Sequence, residues 1–187
     1  GPFVEISDGH ITPHDKDCID ATLYVDGKGQ PWLVFVHEWT CTDDGIGRMD
    51  VAKLSDDLTH LISAPVELFR ADSPAWTNKN VTDGCFVHTL SDGNLIMLWS
   101  NHEQDGYCIG IAHSKNGAVD GQWEHEKTPL YKRGILDHHD GGHGMIFADT
   151  DGKQYLCCHS PNQPCEECKE RTVLLSVAER NGTLCIK

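Results

Sequence analysis

Three ionisable side chains stand at the heads of similar segments. Asp20 opens "DATLYVDGKGQPWLVFVHEW", Asp83 opens "DGCFVHTLSDGNLIMLWSNH", and His143 opens "HGMIFADTDGKQYLCCHSPN". The heads are spaced by 63 and 60 residues. Taken singly, each reads as a cap on a strand or turn, because Asp-Gly pairs are common turn formers. Three such groups in register point instead to a shared polar funnel. Two carboxylates in one funnel are suited to hydrolysis of a glycosidic bond. One acid protonates the leaving oxygen, and a carboxylate on the opposite face activates water. A further carboxylate near the acid raises its pKa by like-charge repulsion. A histidine there binds a structural cation through water, or hydrogen-bonds substrate or an acid.

The elements that must position these residues are β-strands. Helical periodicity is scarce, and short β-rich runs separated by Gly, Asp and Asn dominate. Each repeat reads as a polar head, an apolar strand, a turn carrying Gly and a second apolar strand. The third strands match as well: Ala52, Ala112 and Ala178 each follow Val or Ile, at intervals of 60 and 66 residues. A repeat of about 60 residues with three or four antiparallel strands is the signature of a β-propeller blade. A blade's first strand lies at the central axis, so the heads of those strands converge at one mouth of the channel.

The reading is therefore an all-β chain with three four-stranded blades. Residues 1–17 are expected to be the end of a preceding blade and a linker, with blades over 18–76, 77–138 and 139–187. Three blades do not close a ring, since propellers carry about 4–8. The expectation is an incomplete ring that is completed by N-terminal blades or by a partner chain.

At these residues the chain resembles a known family. "CIDATLYVDGKGQPWLVF", "VTDGCFVHTLSDGNLIMLWS" and "DGGHGMIF" resemble glycoside hydrolase family 43, the five-bladed propeller arabinosidases and xylosidases. The resemblance covers essentially all 187 residues and makes them blades three to five. It implies that Asp20 tunes and orients the general acid, and that Asp83 is that acid. The family's acid is usually Glu in a Glu-Gly-Pro context, whereas this chain has Asp83-Gly84-Cys85, with Glu38 in "HEW" as the nearby fallback. The resemblance places His143 beside a central calcium or water cluster and requires no cofactor for the chemistry. The family's general base heads blade one, which has no counterpart here. The 187 residues alone are thus expected to hydrolyse glycosides poorly or not at all.

The implied substrates are α-L-arabinofuranosides or β-D-xylosides of plant polysaccharides or oligosaccharides. A non-catalytic carbohydrate-binding or degenerate propeller is the alternative, with Asp83 and Cys85 marking lost activity. Trp39 and Trp76 are candidate sugar platforms, Phe86 and Glu38 are candidate substrate-binding residues of the same cleft, and Trp32, Trp99 and Trp123 read as packing.

Composition bounds the rest. A net charge of −14 argues against nucleic acid, which wants basic patches. No apolar run approaches membrane-spanning length. At 39% hydrophobic residues, a packed core forms readily. Nine cysteines read as reduced core residues of a cytosolic protein, as disulfides, or in part as a zinc site at Cys158, His159, Cys165 and Cys168. The "HHDGGH" run (His138, His139, His143) lacks helical ligand spacing, and its paired glycines read as a flexible loop. Asn80 and Asn181 stand in Asn-x-Thr sequons, which matter only in a secretory eukaryotic setting.

Overall fold

A computed structural model describes residues 1–164, 166 and 168–187. It contains three four-stranded antiparallel sheets. The first holds β1 (Cys18–Val25), β2 (Pro31–His37), β3 (Arg48–Lys53) and β4 (Val66–Arg70). The second holds β5 (Asp83–Thr89), β6 (Leu95–Glu103), β7 (Gly106–Ser114) and β8 (Trp123–His125). The third holds β9 (Gly142–Ala148), β10 (Gln154–Ser160), β11 (Arg171–Arg180) and β12 (Thr183–Ile186). Each sheet is a simple meander in chain order. The all-β propeller expectation holds, and the three sheets do not close into a ring. None of the described helices is long and apolar enough to cross a membrane.

The same turn chemistry starts each sheet. The Asp26 carboxylate accepts the N–H groups of Lys28 and Gln30, while Gly29 takes φ 83°. Asp149 does the same for Asp151 and Lys153, with Gly152 at φ 77°. Asp92 accepts the N–H of Asn94, with Gly93 at φ 86°. A short carboxylate that satisfies backbone donors, followed by a residue free to adopt positive φ, closes a hairpin at low cost. These turns fix where each second strand begins, and hence which inner-strand residue lies at the far end.

Packing between sheets holds the blades in order. One apolar cluster joins Trp32, Val34, Val36 and Met49 of the first sheet to Val87, Met97 and Trp99 of the second. A second joins Ile96, Leu98, Ile109 and Ile111 to Ile146, Leu156 and Val173 of the third. The middle strands β2 and β6 are buried along nearly their whole length, as strands covered on both faces must be. Ile11 and Leu61 pack over Leu33 and Phe35 on the remaining face of the first sheet.

Among the described cysteines, Cys85, Cys108 and Cys158 are free and lie in the core, whereas Cys41 is exposed and Cys18, Cys157, Cys168 and Cys185 are half-buried, so the packing reading holds for three of them. Burial pushes the Cys158 thiol up to about 12, which disfavours the thiolate a zinc site needs. Cys165, the third member of that candidate quartet, lies outside the described residues.

Candidate active site

The inner strands carry one shared distortion at their heads. In β1, Ile19 pairs with Val36 and Thr22 with Val34, so Asp20 and Ala21 together oppose one residue. In β5, Asp83 pairs with Ser100 and Phe86 with Leu98, leaving Gly84 and Cys85 in the same position. In β9, Gly142 pairs with His159 and Met145 with Cys157, leaving His143 and Gly144. Each is a two-against-one bulge. Its first residue is left-handed in every case: Asp20 at φ 55°, Gly84 at 58° and His143 at 52°. Asp, His and Gly are among the residue types that tolerate this region best.

The bulges correct the register read from the sequence. Asp20 and His143 share a slot, but its third occupant is Gly84, and Asp83 lies one residue earlier. The two aspartates are thus presented by different backbone positions.

Hydrogen bonds clasp the first two bulges together. The Gly84 N–H donates to Asp20 Oδ2 at 2.9 Å. The Cys85 thiol donates to the Asp20 carbonyl at 3.0 Å, and the Thr22 hydroxyl donates to the Cys85 carbonyl at 2.8 Å. The third bulge is tied in by the His143 N–H, which donates to Ser100 Oγ at 2.8 Å. The His143 ring lies flush against Gly84, where a Cβ would come within 2.9 Å of two ring carbons. Its Nδ1 lies 3.8 Å from Asp20 Oδ2.

Asp83 is the perturbed group of this cluster. Burial is the main cause that lifts its carboxyl to about 6. The Tyr107 hydroxyl donates to Oδ2 at 2.8 Å and pulls the other way. The negative charge of Asp20 raises it, nearby His143 lowers it, and Glu38 raises it. A carboxylic acid that keeps its proton to about pH 6 is poised as a general acid. Burial and the adjoining carboxylate push the Tyr107 phenol well above its usual range, so it stays a donor.

Tyr107 and Gly142 are the members that sequence reasoning missed. Tyr107 comes from β7, not from an inner strand, so no head position marks it. Its ring fills the space over Gly142, where a Cβ would lie 2.1 Å from a ring carbon. The double glycine before His143 was the available signal: the second of the pair makes room for an aromatic ring. The buried Asp140 carboxylate accepts the Tyr107 N–H at 3.0 Å and so anchors the same residue from behind.

The remaining candidates divide. The Glu38 charge raises the Asp83 carboxyl, but the Glu38 carboxylate caps the 3₁₀ turn Trp39–Cys41 by accepting the Thr40 N–H at 2.8 Å. Trp39 begins that turn and is half-buried, at the end of β2 near the heads. Phe86 packs against the apolar cluster of the second and third sheets. Trp76 is not brought to the heads. Its ring covers Gly110 of β7, lies 5.3 Å from the Trp99 ring, and donates Nε1–H to the Glu126 carbonyl beside β8. A polar loop sequence conceals an indole that packs on the outer strands.

Calcium takes 6–8 oxygen ligands. The His143 imidazole has beside it the Asp20 carboxylate, whose Oδ2 already accepts Gly84 N–H, and it shares a cleft with His159 and Glu170, which lie 2.9 Å from each other. That donor set fits a hydrated ion held through water, not a direct protein cage.

No curated protein matches the chain. An endo-arabinase from Bacteroides thetaiotaomicron VPI-5482 superposes with a TM-score of 0.87 at 36% identity, over 97% of this chain and 63% of that one. An endo-1,4-beta-xylanase from the same organism gives a TM-score of 0.81 at 24% identity, over 100% of this chain and 63% of that one. A thermostable family-43 glycoside hydrolase gives 0.78 at 22%, over 91% and 57%. The chain thus spans somewhat under two thirds of the length of these structures. The family model described as "Glycosyl hydrolases family 43" matches residues 1–184, and the chain belongs to that family.

Proposed function

We propose that these residues form the acid side of an inverting glycosidase that acts on arabinofuranosyl or xylosyl linkages of plant-type polysaccharides. Asp83 donates the proton to the leaving oxygen. Asp20 holds the Asp83 proton by its negative charge and fixes the strand that carries it. Tyr107 sets the orientation of the Asp83 carboxyl through one hydrogen bond. His143 lies beside Asp20 and against Gly84, partly open to solvent, where it is available to substrate hydroxyls or to a hydrated calcium ion. No step of the chemistry requires that ion.

The observation that carries the reading is the Asp83 carboxyl. It is partly buried, lifted to about 6, and flanked by a second aspartate from the neighbouring blade. The 36% identity to an endo-arabinase favours arabinofuranosyl linkages over xylosyl ones. Inversion needs acid and base carboxyls about 6.5–9.5 Å apart with a water between them. Asp20 is committed to Gly84 and Glu38 to the 3₁₀ turn, so the proposal assigns the base to a blade outside these 187 residues.

Kinetics on aryl α-L-arabinofuranoside and aryl β-D-xyloside test this in the full-length protein. Asp83→Asn is expected to lower kcat by about 10²–10⁴-fold, the usual worth of a positioned proton donor. Oligosaccharide affinity should stay nearly unchanged. Unaltered kinetics would move the acid role elsewhere, Glu38 first, and normal turnover by the 187-residue chain alone would remove the need for an outside base.

A further inference from the structure

The loop between β8 and β9 carries a second cluster of donors that glycoside chemistry does not use. One ligand atom each from Asp137, His138 and His139 lies within 4.8 Å of the others. The sequence drew attention to His138, His139 and His143. The structure instead separates His143, which sits on β9 against Gly84, and gathers the two adjacent histidines with the preceding aspartate.

The loop is held in a shape that presents these groups. Asp137 Oδ1 accepts the His139 N–H at 2.7 Å, which folds the second histidine back over the carboxylate. The two imidazole rings lie side by side with centroids 4.0 Å apart. Arg133 clamps the stretch, donating to the His138 carbonyl and to the Asp105 carbonyl at 2.7 Å each. Three residues on, the buried Asp140 accepts N–H groups from Tyr107 and Asn162. Neither imidazole spends a ring nitrogen on a hydrogen bond among the described residues. Arg171 approaches Asp137 Oδ2 only to 3.6 Å, longer than the roughly 2.7–2.9 Å of a firm charge-assisted bond.

We infer that Asp137, His138 and His139 form a binding site for a divalent transition-metal ion, with zinc as its natural occupant. Two imidazoles and one carboxylate are the donor types of borderline metals, whereas calcium and magnesium select oxygen. Metal–ligand bonds of about 2 Å put two ligands of one ion at most about 4 Å apart, so closure needs side-chain rotations that move donor atoms by about 1 Å. Three protein ligands leave the remaining positions to water. A bound ion would cross-link the loop whose next anchor, Asp140, holds the backbone of Tyr107.

Equilibrium dialysis against zinc chloride tests the site on the full-length protein. A background carrying Cys165→Ser and Cys168→Ser removes thiols that would compete for zinc. One zinc ion per chain is expected in that background. His139→Ala and Asp137→Asn should each weaken it by at least about tenfold, the loss seen when even an outer partner of a metal ligand is removed. Circular dichroism of the same variants would verify an intact β-fold. Zinc uptake that disappears with the two serines, or that survives a combined Asp137→Asn, His138→Ala and His139→Ala variant, would overturn the assignment. So would failure of the background protein to bind zinc below millimolar concentration.

Discussion

The Tyr107 hydroxyl donates to Asp83 Oδ2 at 2.8 Å, and this single bond opposes both burial and the neighbouring Asp20 charge. The Asp83 proton is therefore set by a contest between named groups, each of which is separable by substitution. Removing the donor in Tyr107→Phe deprives the carboxylate of stabilisation and should raise the Asp83 midpoint above about 6. Removing the negative neighbour in Asp20→Asn should lower it. Carbon-detected NMR of labelled aspartates reads both shifts without turnover, and a midpoint that falls in Tyr107→Phe would refute the assigned role of the phenol.

Asp83 also makes stability depend on pH in an unusual direction. Its unfolded carboxyl titrates near 3.8 and its folded one near 6, so between those values the folded state binds more protons. Stability contributed by this group is thus full below about pH 4 and is lost as pH rises toward and beyond 6. A carboxylate left charged in this partly buried site costs on the order of 2 kcal/mol at pH 7. Asp83→Asn keeps an oxygen for Tyr107 and removes the charge. The variant should match the parent in denaturant unfolding at pH 4 and be more stable at pH 7 by about that amount.

Gly142 has no side chain because the Tyr107 ring occupies the space. A Cβ there would lie 2.1, 2.4 and 3.0 Å from three ring carbons. Gly142→Ala should force the ring away from Asp83 and destabilise the fold by about 1–3 kcal/mol, the usual cost of overpacking. Combining it with Tyr107→Ala reopens the space. The double variant should lose less stability than the sum of the Gly142→Ala and Tyr107→Ala losses, without regaining the hydrogen bond to Asp83. Additive losses in that pair would show that the two positions do not meet.

What the sequence made legible follows from what repeats. Turn glycines, apolar strands and the third-strand alanines recur at intervals of about 60 residues, and they led to three four-stranded sheets. The head positions were found to within one residue. Matching Asp20 to Asp83 by residue type missed that the bulge aligns Asp20 with Gly84, because a left-handed slot accepts aspartate, glycine or histidine alike. Tyr107 was missed, and the packing of Trp76 on the outer strands was not legible, for a related reason. Neither occupies a repeated position, and what each does depends on which glycine of another strand lies beneath its ring: Gly142 for Tyr107 and Gly110 for Trp76. Contacts between a large ring and a bare backbone leave little trace in period or composition.

His125 gives the last expectation, and it concerns the joint between the first two blades. Its ring meets Phe69 edge-on at 4.6 Å and lies 5.3 Å from Trp99. Both ring nitrogens are buried without a hydrogen-bond partner among the described residues, and burial depresses its pKa from 6.5 to about 4. The unfolded chain takes up a proton near pH 6.5 that the folded chain refuses until about 4, so this group's contribution to stability falls as pH drops through that window. The full loss is about 3 kcal/mol. His125→Phe keeps an aromatic ring between Phe69 and Trp99 and removes two unpaired polar atoms. Thermal melts between pH 7 and pH 4 should show a shallower acid decline in this variant, with equal or higher stability at pH 7. An unchanged acid slope would mean that His125 is hydrated in solution and that the two sheets part there more readily than their packing implies.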